Sequence, residues 1–428
     1  MKTKRPKRHG PRLLVANDKG EFFDHPDLLM AGQSWDEVIL TQQEDTVLAP
    51  ESLQVVFLPG HLPVGIDPAT KKQVTVTSFF AQGRTFTPHA VAAITPTGYM
   101  RHLLPAMKKT SKAPTLPLRS YCALGISGSH LRLCASHIDS NTHWDPARFQ
   151  RPDMTDLIKR LQKRFPGNQV LKQLARCATE YFCCTAKNIF LGTFEGALPI
   201  SPRCNARCLG CISEQSGEVE SPQHRLLAPP IVDDIVQIAV FHLQRAKPAM
   251  VSFGQGCEGE PLTQGDLLIR AISAIRSQTN KGTIHLNTNG SKPELVHDLS
   301  EAGLQSVRVS IFSAREKPFQ QYHRASYDLQ TVEEFCRNAS EHGIRVSLNL
   351  LTFPGFTDRA QELDALVEFI HRTGSDMVQI RNLDLDPANI LKNITPANGP
   401  ILGLKKFLKT LRHQIPNLDV GSFNRFLD

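Results

Sequence analysis

The spacing of apolar positions along this chain changes near its middle. From Ala249 onward, short apolar runs alternate with segments whose apolar residues return every three or four positions. That alternation predicts strands and amphipathic helices wound into a parallel α/β sheet. Strands are expected at Met250–Phe253, Thr283–Leu286, Val307–Ile311, Ile344–Leu350 and Met377–Ile380. Helices are expected at Ile231–Gln244, at the face built from Leu267, Leu268, Ala271, Ile272 and Ile275, at Leu329–Glu341 before Gly343, and at Asp358–Arg372 before Gly374. Glycine just past a periodic segment is the usual helix stop. Ser291 and Glu294 have the spacing of a capping box. With the strand-like stretch Gly196–Ser201, the pattern counts six β/α units.

Residues 13–150 lack this alternation. Arg12–Ala16, Leu53–Leu58, Val74–Phe80, Ala90–Thr95 and Cys122–Ile126 look like strands broken by Pro and Gly, which predicts a smaller, antiparallel, β-rich N-terminal domain. Residues 151–195 form a helical connector, with helices expected at Asp153–Phe165 and Val170–Thr185. Residues 1–12 are a basic tail, and residues 196–428 are the α/β domain with a C-terminal helix, Leu404–Arg412. That helix carries Leu404, Phe407, Leu408 and Leu411 on one face, so it is expected to pack on the α/β domain.

Composition changes the picture little. With 428 residues, 21% of them charged, the chain is an ordinary globular protein large enough for two or three domains. No apolar run approaches the ~20 residues of a membrane helix, and no hydrophobic stretch follows the basic N-terminus as in a signal peptide. A cytoplasmic location without membrane attachment is expected, where close cysteines bind metal more readily than they form disulfides. The net charge of +8 leaves nucleic acid open as a partner, but a solvated tail is the favoured reading of the basic N-terminus.

The candidate chemistry begins at CNARCLGC. Cys204, Cys208 and Cys211 sit in one short loop directly after the stretch Gly196–Ser201. A [4Fe–4S] cubane normally takes four thiolates. A loop that offers three leaves one iron open to an exogenous ligand, which points to chemistry more than to electron transfer. Ferredoxin-type ligation needs other spacings and a further cysteine, and structural zinc wants paired CxxC or His partners.

A second motif follows. Ala249–Leu262, AMVSFGQGCEGEPL, is an apolar strand opening into a glycine-rich acidic loop. Together with CNARCLGC it resembles the radical S-adenosylmethionine (radical SAM) superfamily, in which a CxxxCxxC loop follows the first barrel strand and a Gly-Gly-Glu-type motif closes the second. The resemblance covers roughly 197–417 and implies a partial (β/α)6 radical SAM barrel with its site at the C-terminal strand ends. Two positions depart from the family pattern: Glu258 stands at the first glycine, and Gly210 stands where an aromatic residue near the adenine is usual.

The resemblance implies a [4Fe–4S] cluster on Cys204, Cys208 and Cys211, and S-adenosylmethionine as cofactor. It also implies reductive cleavage to a 5′-deoxyadenosyl radical that abstracts hydrogen from a substrate. An electron donor such as flavodoxin or ferredoxin would be needed, and the substrate is not named by these motifs. Gly259 and Glu260 are expected to bind the cofactor's ammonium. Asn287 in LNTNG, Ser310 in VRVSIF, Asn349 in SLNLL, and Gln379 with Arg381 in VQIRN are expected to line the cofactor and substrate cavity. Alternation puts Arg308, Ser310 and Phe312 on one strand face. Cys257 is a candidate catalytic hydrogen-atom donor, although packing is the commoner fate of such a residue. No cysteine cluster follows Cys336, so an auxiliary-cluster domain is not expected. The alternative to catalysis is an iron–sulfur sensor or binding protein that keeps the fold without turnover.

Overall fold

The computed structural model describes residues 10–215 and 217–427. The basic tail lies outside the described residues up to position 9. The chain divides into two compact units: one holds residues up to Asp139 with Thr352–Leu363 and Arg381–His413, the other Ser140–Leu351, Asp364–Ile380 and Gln414 onward.

The second unit is built around a seven-stranded sheet whose spatial order equals its chain order. Its strands are β1 (Phe194–Ala197), β2 (Ala249–Phe253), β3 (Thr283–Thr288), β4 (Ser306–Ile311), β5 (Arg345–Thr352), β6 (Met377–Asn382) and β7 (Asp419–Gly421). β1 to β5 pair in parallel, each with the next, as do β6 and β7. Strands buried on both faces should read as near-continuous apolar runs, and Ala249–Phe253 is buried at every position. The crossover helices turn their periodic faces inward: Ile235, Ile238 and Ala239 of Val232–Arg245 are fully buried, as are Leu268, Ala271, Ile272 and Ile275 of Gly265–Arg276.

This is the parallel sheet expected from the alternating pattern, and the partial barrel that the resemblance implies, with one strand more. β7 is three residues long and carries no apolar run of its own, so periodicity could not reveal it. The expected capping box is absent. Lys292 is the N-cap of the turn Pro293–Leu295 and no side chain caps it, because the Ser291 hydroxyl accepts a hydrogen bond from Asn205 Nδ2. The expected helix Val170–Thr185 is two helices, Gln169–Thr179 and Cys184–Leu191. They are parted at Phe182, whose φ of 53° lies in the left-handed region a helix cannot use.

The first unit is an antiparallel sheet, twelve-stranded among the described residues. Arg12–Ala16 pairs with Phe22–Ser34, His89–Ile94 and Tyr121–Ser127, and Leu14, Met30, Val91, Leu124 and Leu133 form its core. The C-terminal helix, Leu404–Gln414, buries the expected face, yet through His413 it groups with this unit and not with the barrel. Lys405 Nζ donates to Glu44 O at 2.6 Å. Arg101 explains why the segment after β6 joins here as well. It is fully buried, and its guanidinium donates to Tyr121 O and Leu383 O at 3.2 and 2.8 Å. Burial lowers its pKa to about 10. Among the described residues no helix is long and apolar enough to cross a membrane.

Candidate active site

The cysteine loop and the acidic motif leave the C-terminal ends of β1 and β2, and their backbones are joined. Gly259 N donates to Ser201 O at 2.6 Å and Glu260 N to Arg203 O at 2.7 Å. Glycine is required for that approach: a Cβ on residue 259 would stand 2.0 Å from Arg203 O. Gly254, at φ +77°, begins the same loop, and a Cβ there would meet Asn287 O at 1.8 Å.

Glu258 holds the junction from inside. One carboxylate oxygen accepts from Ile200 N and Ser201 N at 2.8 and 3.0 Å, the other from Gly254 N and Gln255 N at 2.6 and 3.1 Å. Burial pushes its pKa up to about 7, against four N–H groups that favour the ionised form. The residue that departs from the family pattern thus ties the ends of β1 and β2 together.

Glu260 is also buried, and its pKa is raised to about 7 by desolvation. Its oxygens accept from Thr288 Oγ1 at 2.5 Å, Leu262 N at 3.1 Å and Asn289 N at 2.8 Å. Oε2, with one of these partners, retains an acceptor position for a further donor. Asn289 Nδ2 donates in turn to Asn205 Oδ1 at 2.7 Å, so the end of β3 reaches the cysteine loop.

The cysteine loop is gripped from its other side by the helix Glu316–His323. Arg207 N donates to His323 O and Leu209 N to Tyr322 O, both at 3.0 Å. Cys208 Sγ lies 3.4 Å from His323 Nδ1, and Cys211 Sγ lies 3.4 Å from Ser213 Oγ and 3.7 Å from an Arg225 guanidinium nitrogen. Burial raises the Cys204 pKa to about 11 and the Cys208 pKa further. Without a metal these thiols stay protonated at neutral pH; a bound metal would deprotonate them.

Among the described residues no three His, Cys, Asp or Glu side chains converge to hold a single metal ion. A cubane makes a different demand, since each thiolate takes a different iron. The donor set suits it: three thiols on one pinned loop, beside polar atoms that the protein leaves unsatisfied. The buried Tyr327 hydroxyl, close to Cys208, Glu260 and Cys204, has no partner. A buried polar atom of this kind is costly unless something else satisfies it.

Polar side chains of the central strands bond to one another. Asn349 Nδ2 donates to Ser310 Oγ at 3.3 Å across β5 and β4, while Asn349 Oδ1 is buried without a partner. Gln379 is engaged on both sides, accepting from Arg308 at 3.3 Å and donating to Asn424 Oδ1 at 2.8 Å. Asn424 donates onward to the buried carboxylate of Glu195 at 2.8 Å. Asn287 spends its amide within the barrel, donating to Phe253 O at 2.7 Å and facing His285 Nε2 at 3.2 Å. Arg381 belongs to the first unit, and its carbonyl accepts from Thr352 Oγ1 at 3.1 Å.

Cys257 lies elsewhere. Its thiol is fully buried in hydrogen-bonding contact with Cys177 on the helix Gln169–Thr179, and that contact and burial raise its pKa well above the ordinary value. Cys183 and Cys184 are half-buried at the start of Cys184–Leu191. Sequence reasoning missed Asn205, Arg225, His323 and Tyr327, and it marked Glu258 without giving it a role. Only Glu258 carried a signal, as the departure from the motif.

Residues 198–370 match the model of the radical SAM superfamily. GTP 3′,8-cyclase of Aquifex aeolicus (strain VF5) is 29% identical over 196 residues, 45% of this chain and 57% of that enzyme. GTP 3′,8-cyclase of Lactiplantibacillus plantarum is 26% identical over 216 residues, 50% of this chain and 60% of that enzyme. The chain thus spans little more than half the length of these curated relatives. A radical SAM methyltransferase from Sphaerobacter thermophilus aligns with a TM-score of 0.39 at 17% identity, covering 53% of this chain and 65% of that structure. Residues 198–370 thus carry a radical SAM domain, and enzymes of that superfamily work with a [4Fe–4S] cluster and S-adenosylmethionine.

Proposed function

We propose that this protein is a radical SAM enzyme acting on a polar substrate held against the inward face of β4 and β5. In this reading Cys204, Cys208 and Cys211 hold the cluster, and the free acceptor position of Glu260, with the backbone at Gly259, receives the cofactor's ammonium. When bound, the cluster and S-adenosylmethionine supply one-electron cleavage and a 5′-deoxyadenosyl radical that takes hydrogen from the substrate. The chain's own residues position and exclude. Glu258 fixes the two loops relative to each other, Thr288 and Asn289 orient Glu260, and the buried Asn349 Oδ1 calls for a donor from the bound molecule.

The observation that carries the reading is the backbone junction of the two motifs, which brings Glu260 and the cysteine loop together at the C-terminal strand ends. Parallel α/β structures place their sites at those ends. The names of the curated relatives make GTP the first substrate to try. Reduced, cluster-reconstituted protein is incubated with S-adenosylmethionine and ribose-deuterated GTP. Deuterium in the 5′-deoxyadenosine supports GTP. Release of unlabelled 5′-deoxyadenosine at the same rate with and without GTP rejects it while leaving radical chemistry in place. Docking of flavodoxin or ferredoxin as electron donor, and a cytoplasmic location, belong to the same proposal.

A further inference from the structure

His323 is not accounted for by the assignments above. It ends the helix Glu316–His323, and its ring packs against Phe319 and Tyr322, with centroids at 4.5 and 5.0 Å. Its carbonyl accepts from Arg207 N in the middle of the cysteine loop, and its Nδ1 faces Cys208 Sγ at 3.4 Å. Its Nε2 is buried and has no partner.

With Cys208 held as a cluster-bound thiolate, those contacts decide which ring nitrogen carries the proton. A neutral imidazole has one N–H. On Nε2 it would be a buried donor without an acceptor, a loss of about 1–3 kcal/mol. On Nδ1 it points at the Cys208 sulfur, and the bare Nε2 lone pair is the lesser loss. The backbone bond at Arg207 and the side-chain bond at Cys208 fix the ring in register with the loop.

We propose that His323 is a positioning residue that donates Nδ1–H to the Cys208 thiolate and thereby holds the reduction potential of the bound cluster up. The proposal rests on the reading that Cys208 ligates a [4Fe–4S] cluster. A donor to a ligating sulfur stabilises the more electron-rich, reduced cluster over the oxidised one, and hydrogen bonds to the sulfurs are among the determinants of such potentials. Removing the donor makes the cluster harder to reduce. The effect of the residue passes through Cys208.

The test compares wild type, His323→Phe and His323→Asn in the full chain, each reconstituted with iron and sulfide. Phe keeps a flat ring between Phe319 and Tyr322 and removes the donor. Asn keeps an N–H near the Nδ1 position. The readouts are iron and sulfide content and the midpoint potential from a dithionite titration followed by electron paramagnetic resonance. The expected result is a full cluster in all three. In His323→Phe the reduced-to-oxidised ratio at fixed potential falls about tenfold, a shift of ~59 mV to more negative values for one electron. His323→Asn recovers most of that shift. An unshifted potential in a fully loaded His323→Phe overturns the proposal, as does an equal shift in the Asn variant. If His323→Phe holds no cluster, His323→Asn decides: a wild-type potential supports the donor role, and loss of its cluster as well makes the ring a structural requirement and overturns it. Failure of wild type to take up a cluster would instead sink the underlying reading.

Discussion

Replacing Glu258 by Gln tests whether that carboxylate is the clamp between β1 and β2. The change conserves shape and volume but turns one acceptor oxygen into an NH2 group. Each oxygen receives two backbone N–H groups, from Ile200 and Ser201 on one side and from Gly254 and Gln255 on the other. Either orientation of the new amide therefore sets a donor against two buried donors. Leaving two such groups unsatisfied costs about 1–3 kcal/mol each. Relief from burying a charge, the same desolvation that lifts the Glu258 pKa to about 7, offsets part of that loss. The expected net destabilisation is about 2–4 kcal/mol, at or above the upper end of what ordinary point substitutions cost. Urea unfolding at pH 7 measures it, and hydrogen exchange locates it, with faster exchange confined to the amides of residues 200–201 and 254–255. Glu258→Gly, which restores the residue the family pattern has here, is expected to be worse, since all four donors lose their acceptor. A destabilisation below about 0.5 kcal/mol in Glu258→Gln, the range of unremarkable surface changes, or a stabilised Glu258→Gly would refute the clamp.

Three further outcomes follow from the same geometry. Glu260→Gln should keep the cluster and weaken S-adenosylmethionine binding about tenfold to a hundredfold, the ~1.5–3 kcal/mol of a charge-assisted bond; unchanged affinity by titration removes Glu260 from the cofactor site. Cys257→Ala should leave iron content and the ratio of product to 5′-deoxyadenosine unchanged, because the thiol contacts Cys177 and not the cysteine loop; a lower ratio would return it to the mechanism. His242 is buried, hydrogen-bonded through Nε2 to Phe194 O at 2.8 Å, and its pKa is lowered to about 4 by burial. Unfolding therefore takes up a proton between pH 6.5 and 4, and the stability this imidazole supplies is present above 6.5 and lost as pH falls. His242→Gln keeps a donor to Phe194 O, so its deficit relative to wild type should shrink by about 2 kcal/mol between pH 7 and pH 5; a gap constant with pH contradicts the assignment.

Much of this architecture is written in local pattern. Leu329–Glu341 has the bounds that its periodicity and Gly343 imply, and the strands β2 to β6 lie within two residues of the apolar runs that announce them. The cysteine loop is equally local, since its information is the spacing within eight residues. What escaped reading is what depends on distant partners. Glu258 reads as a loop charge until Ile200 and Ser201 are placed beside it. Asn289 accepts from Ser291 N within its own turn at 3.1 Å, and its amide also reaches the distant Asn205. His323 closes a helix of eight residues that carries Lys, Gln and Pro in place of a clear apolar stripe. The C-terminal helix shows a different limit: its apolar face is plain in the sequence, but periodicity says that a face is buried and not against which unit.

The most direct test of the central claim is the release of 5′-deoxyadenosine. Wild-type protein and a variant with Cys204, Cys208 and Cys211 all changed to Ala are reconstituted with iron and sulfide, reduced with dithionite, and given S-adenosylmethionine. The account predicts a brown protein with the ~400 nm absorption of thiolate-bound iron–sulfur clusters and 5′-deoxyadenosine above background for wild type, and neither for the variant. Equal iron content in the two proteins would contradict the assignment of the ligands, and a fully loaded, reduced wild type that leaves S-adenosylmethionine intact would contradict radical catalysis in favour of a cluster-bearing sensor.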